Sequence, residues 1–183
     1  MDTGAADVRL LQDSFNRTSM ALYVSLGLQV RESVVLLAGR PRSGPDGSVE
    51  VRTLGPADLG ECERLYADVH GHERGAEIRD SLSDPLCAPL VAVRQGSVVA
   101  YATTLTYFPA AHAVARTDAD LQQLILGAAE MLGRPLSFLL PTHQSALLRW
   151  CGDERLRIVK PMSYLTLNDY PRPEGPWLPS TMY

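Results

Sequence analysis

Apolar residues in this chain fall in short runs divided by turn-forming residues, and two of those runs frame helices. Val8, Leu10 and Leu11 read as a strand, and Leu28, Val30 and Val34 to Leu37 as another. Between them stands NRTSMALYVSLGL, residues 16–28. Asn16 offers the short side-chain acceptor that a helix N-cap needs. Met20, Leu22, Tyr23 and Leu26 supply apolar contact surface, and Gly27 can take the left-handed conformation that ends a helix. The pattern predicts strand, helix, strand. The same order recurs near the other end: Leu136 to Leu140 as strand, Thr142 as cap, a short helix through Leu147 and Trp150, then Leu156 to Val159 as strand.

Two segments interrupt the pattern. Gly39 to Ser48 holds Pro41, Gly44, Pro45 and Gly47, a composition suited to a linker. The chain therefore divides at 40–48, between a front segment, 1–39, and a module, 49–183. The second segment, Pro171 to Pro179, carries four prolines, which exclude a helix. Trp177 within it is costly to leave in water, so the tail is expected to be pinned to the body of the protein.

The order Asn, a few residues, Leu-Tyr, a few residues, Gly and then an apolar residue resembles the C-terminal motif of the GNAT N-acetyltransferase superfamily. The stretch VEVRTLGPADLGECERLYADVHG, Val49 to Gly71, is similar to the opening strand and first helix of such a domain. The later elements keep the order of that family: strands at Leu90 to Arg94 and Val98 to Tyr107, a helix from Asp118 to Leu132, and the Leu136 strand. The resemblance is to a tandem GNAT protein, the tail of one module leading into a nearly complete second. It implies an α+β fold, a mixed, mostly antiparallel central sheet flanked by helices, preceded by a partial strand-helix-strand unit.

Composition constrains the partners. At 183 residues, 45% hydrophobic and 21% charged, the chain can bury a sizeable core. A net charge of −4, from 17 basic and 21 acidic residues, disfavours nucleic acid, whose phosphates need concentrated Lys and Arg. No apolar run approaches membrane-spanning length, and the start, with Asp2 and Asp7, lacks the basic and apolar regions of a secretory signal, so a cytoplasmic location is expected. Cys62, Cys87 and Cys151 are widely spaced without a CxxC pair, which suggests neither a disulfide framework nor a zinc site.

The resemblance also implies a chemistry. Acetyl-CoA would be co-substrate, lying where two strands splay apart, here Val98 to Tyr107 and Leu136 to Thr142. The backbone of Thr104, Leu105 and Thr106 would face the thioester. Pyrophosphate would sit at the start of the next helix, yet Pro109 to Arg116 contains no glycine. Thr117 and Asp120 form an ordinary cap there, and Asp118 and Asp120 would repel phosphate, leaving Arg116 as the cation placed to help. Tyr23 matches the family's late-helix acid in the first motif. The loop after the first helix would roof the acceptor, a small-molecule or peptide amine: His70 or His72 would take its proton, and Glu73 would hold its charge. His-x-His alone points to no metal.

These residues suit two functions. One is an acyl-CoA-dependent N-acyltransferase; the other is a catalytically degenerate GNAT module with a structural or regulatory role. The front segment, with two apolar strands and no sheet of its own, should cover the main module or pair with its equivalent across a two-fold axis, a homodimer being the expectation.

Overall fold

The computed structural model describes residues 8–73, 75–168 and 170–181. Asp2, Asp7, Arg74 of the acceptor loop and Tyr183 lie outside them. The front segment forms the expected unit: β1 (Val8–Asp13), α1 (Arg17–Ser25) and β2 (Gln29–Gly39). The Asn16 side chain accepts the Ser19 amide at 3.0 Å, and Gly27 follows the helix at φ +91°, a conformation in which its lack of a Cβ matters.

The apolar surface of α1 is not buried, contrary to expectation. Leu22 is 55% and Leu26 62% exposed, and no residue of the helix is buried. β1 and β2 both run antiparallel to β8 (Arg157–Leu167), one on each side, so α1 is the crossover past β8.

The remaining elements are β3 (Glu50–Thr53), a short 3-10 turn (Pro56–Asp58), α2 (Leu59–His70), α3 (Ala76–Ser81), β4 (Leu90–Arg94), β5 (Ser97–Ala102), β6 (Ala113–Ala115), α4 (Asp118–Leu132), β7 (Leu136–Pro141), α5 (Ser145–Asp153) and β9 (Trp177–Leu178). They complete two antiparallel sheets flanked by helices, ordered β1-β8-β2-β7 and β3-β4-β5-β6-β9. β2 is thus an inner strand, paired with β7 along Val34–Gly39 and with β8 along most of its length. Residues 40–48 run over the body: the Arg42 and Ser43 amides both donate to Glu154 Oε2, at 3.1 and 2.9 Å.

Three apolar clusters hold these layers. The largest joins α4 and α5 to both sheets through Leu121, Leu124, Ile125, Phe138 and Leu37. A second seats α2 on β4 and β5 through Leu65, Tyr66, Val91 and Tyr101. The third gathers Val34, Leu36, Leu139, Met162 and Tyr164 around Trp177. Each cluster contains residues from widely separated parts of the chain, the usual signature of a continuous core. No helix among the described residues is long and apolar enough to cross a membrane.

Two expected boundaries move. The strand begun at Val98 ends at Ala102, because the Thr103 hydroxyl donates to the Ala110 carbonyl at 2.6 Å and the chain turns back to return as β6. Thr104, Leu105 and Thr106 therefore lie in a loop, not a strand. Thr142 does not cap α5. Its amide and hydroxyl both donate to the Ser33 carbonyl on β2, and the helix opens three residues later, after Gln144.

The turn into α2 is fixed by a bidentate ion pair. Arg52 Nη1 and Nη2 donate to Asp58 Oδ2 and Oδ1, each at 2.7 Å, and the Gly55 amide also donates to Oδ2, at 2.9 Å. The Arg52 guanidinium holds the Asp58 carboxyl below its ordinary value of 3.8. A group depressed on folding contributes stability above its unfolded pKa and loses it as pH falls through the folded value. Asp58→Asn is therefore expected to flatten the acid limb of the stability curve below about pH 4. Urea midpoints from pH 7 to pH 2.5 check this; parallel curves for the two proteins would refute it.

Candidate active site

The sheets part between β6 and β7, the two strands that α4 connects. The splay therefore opens between β6 and β7, not between the Val98 strand and β7 as the sequence suggested. β6 escaped notice because Ala113-Val114-Ala115 is a weak strand signal. The displaced loop still reaches the wedge edge: the Ser137 amide of β7 donates to the Leu105 carbonyl at 2.8 Å.

The wedge is filled by the chain's own tail. β9 pairs antiparallel with β6, Val114 opposite Trp177 and Ala113 opposite Leu178, and the Ala115 amide donates to the Pro176 carbonyl at 3.0 Å. On its other edge stands Gln144, just beyond β7. Gln144 Nε2 donates to the Trp177 carbonyl at 2.7 Å, and Gln144 Oε1 accepts the Trp177 amide at 3.2 Å. One side-chain amide thus completes the strand pairing that β7 does not. Trp177 is 3% exposed, which answers the expectation that the tail is pinned. Gly175 is required by space: a Cβ there would stand 2.9 Å from Val69.

Upstream, Glu32 anchors the same tail. This carboxylate, 4% exposed on β2, meets His143 Nδ1 at 2.8 Å and accepts Arg172 Nε at 2.9 Å and the Tyr170 hydroxyl at 3.4 Å. Burial, with Glu32 beside it, pushes the Tyr170 phenol up, so it stays a donor at neutral pH.

The start of α4 is capped from within the chain. Thr117 caps it by accepting the Asp120 amide at 3.2 Å and donating its hydroxyl to Asp120 Oδ2 at 2.6 Å. Asp120 is buried and ion-paired with Arg94 at 2.6 Å. Its charge is thereby compensated, and Asp118 is the acidic residue lining the nearby depression of about 320 Å³, with His143, Gln144, Ser145 and Pro176. Arg116 is exposed, its Nε 3.4 Å from the Val98 carbonyl.

The histidines gather beside the tail. His70 stacks on Tyr66, centroids 4.2 Å apart, and meets the Trp177 ring edge-on at 5.4 Å. His72 is held by its Nδ1, 2.9 Å from the His70 carbonyl, and its Nε2, 3.3 Å from the Tyr66 hydroxyl. His112, with centroid 6.0 Å from that of His70, joins them. The cavity left among Tyr66, His70, His112, Tyr164 and Trp177 is about 10 Å³, room for one water at most. Glu73 is not in this cluster. It lines a separate hollow of about 410 Å³ with Glu63, Arg64 and Arg79. Tyr23 is half-buried on α1. Among the described residues, no three His, Cys, Asp or Glu side chains are grouped to hold a metal.

Sequence reasoning missed Glu32, His143, Gln144 and His112. A charge within the apolar run around β2 was the one available signal, for Glu32.

This architecture is a GNAT-like fold. No protein-family model matches the chain, and no curated protein does. Among solved structures, a provisionally named acetyltransferase from Pyrococcus horikoshii is 16% identical with a TM-score of 0.66, covering 90% of this chain and 54% of its own. A GCN5-related N-acetyltransferase from Sphaerobacter thermophilus is 15% identical, TM-score 0.56, covering 91% and 61%. Another from Anabaena variabilis is 11% identical, TM-score 0.59, covering 86% and 45%. The chain thus spans between 45% and 61% of the length of each.

Proposed function

We propose that the chain is an N-acyltransferase unit of the cytoplasm, moving an acetyl group from acetyl-CoA to a primary amine. The observation that carries this reading is the parting of the sheets at β6 and β7, with α4 rising from the split and His70 and His72 beside it. An imidazole there suits removal of a proton from an ammonium near neutral pH.

In the folded form described, the wedge does not fit the acyl carrier. It holds β9, and Asp118 stands at a helix start with no glycine loop before it. That observation favours a second reading, a degenerate module. Calorimetry is expected to give a dissociation constant for acetyl-CoA weaker than roughly 100 µM, about 5.5 kcal/mol of binding free energy. Thiol release from acetyl-CoA over a panel of primary amines separates the readings. Amine-dependent release supports the transferase; its absence at millimolar acetyl-CoA favours the degenerate module.

A further inference from the structure

We propose that the C-terminal segment from Gly175 to Thr181 is a displaceable strap that occupies the acyl-carrier wedge and competes with acyl-CoA for it. This rests on the acyltransferase reading.

Three observations carry it. First, the tail takes the place of an extended ligand strand. Its backbone is bonded on one edge to β6, through the Ala115 amide and the Trp177 and Leu178 pairing, and on the other to Gln144. An extended amide-bearing arm entering between β6 and β7 would need those same backbone groups, so tail and arm exclude one another. The Trp177 indole at the same time closes the space beside His70, leaving the cavity of about 10 Å³.

Second, the strap's pairing with the sheet is short, and polar contacts hold it at both ends. Upstream, Arg172 and Tyr170 bond to Glu32; downstream, the Thr181 amide and hydroxyl donate to the Pro109 carbonyl at 2.9 and 3.2 Å. Between these ends β9 is two residues long, and Pro176 and Pro179 on either side have no amide to extend the pairing.

Third, the bound tail is incompletely satisfied. Trp177 Nε1 is buried with no hydrogen-bond partner among the described residues. A buried donor without an acceptor pays its desolvation cost in full, and release to water recovers it. The unpaired N–H thus offsets part of what burial of the Trp177 ring contributes, so the segment fills the wedge but is held less tightly than its buried area alone would give.

The test uses the full chain, with hydrogen exchange at the amides of Gly175, Trp177, Leu178, Ser180 and Thr181 read beside calorimetry with acetyl-CoA. Saturating acetyl-CoA should deprotect these amides while Ala115 stays protected. Gln144→Ala removes the clasp on the tail and should tighten acetyl-CoA binding roughly tenfold if about one molecule in ten is open in the parent protein. Trp177→Ala is the second variant, with exchange elsewhere reporting that the fold is kept. Binding without deprotection of the tail, or equal affinity in parent and both variants, overturns the strap and leaves the transferase reading standing. If the variants release the tail and still bind no acetyl-CoA, the wedge is not an acyl-carrier site. The transferase reading then falls, and the competition with it.

Discussion

Leu37→Asp is expected to abolish cooperative folding. Leu37 is 1% exposed on β2, opposite Phe138 of β7 on one side and Ile158 of β8 on the other. An unpaired carboxylate there costs several kcal/mol, against a total stability of about 5–15 kcal/mol. The milder Leu37→Ala should cost about 2–5 kcal/mol as lost transfer energy plus a cavity. Val30→Asp, on the same strand but 51% exposed, should stay within about 0.5 kcal/mol of the parent. Circular dichroism and urea melts decide it. A Leu37→Asp protein with a normal transition would mean that β2 is not an inner strand in solution.

Gly127→Ala should destabilise the protein even though alanine is the better helix former. Gly127 lies within α4 where the helix crosses β3, and a Cβ there would stand 2.6 Å from the Cβ of Val51. That atom is fixed to the backbone and cannot swing aside, so the overlap falls at the upper end of overpacking costs, about 3 kcal/mol. Helix propensity returns about 1 kcal/mol, leaving a net loss near 2 kcal/mol. For a chain of this size that lowers the melting temperature by about 4–8 °C. Gly152→Ala is the matched control: on α5, with nothing within 4 Å of the added Cβ, it should gain up to ~1 kcal/mol. Adding Val51→Gly, which removes that Cβ, to Gly127→Ala should restore part of the loss, and additive effects of the two substitutions would refute direct contact.

Features written in local chemistry were legible before the structure. Thr117 caps α4, Asn16 caps α1, and Trp177 in a proline-rich tail is buried. In each case a few neighbouring residues suffice. Features set by distant residues were not legible. Nothing near β2 says that its neighbours are β7 and β8, so its inner place in the sheet could not be read from the front segment. β6 is three small residues whose extended form comes from pairing with β5 and β9. The candidate site was half visible. His70 and His72 do stand together, Thr104 rested on a strand assignment that the fold replaces with a loop, and Glu73 lines a separate hollow. Gln144 could not have been found, since its role depends on a tail strand that lies some thirty residues further on.

The inner position of β2 also shapes how the protein is made. About a hundred residues separate this strand from both its partners, β7 and β8, which are synthesised after it. At ordinary translation speeds the delay is on the order of ten seconds, far longer than collapse or hairpin formation. Through that interval Val34, Val35, Leu36 and Leu37, all buried in the finished protein, have no native sheet to join. Such a run is a target for holding chaperones and a starting point for aggregation. Low temperature, slow codons before β7 or a chaperone-depleted host should therefore change the soluble yield of this protein far more than that of a chain whose strands pair with their sequence neighbours.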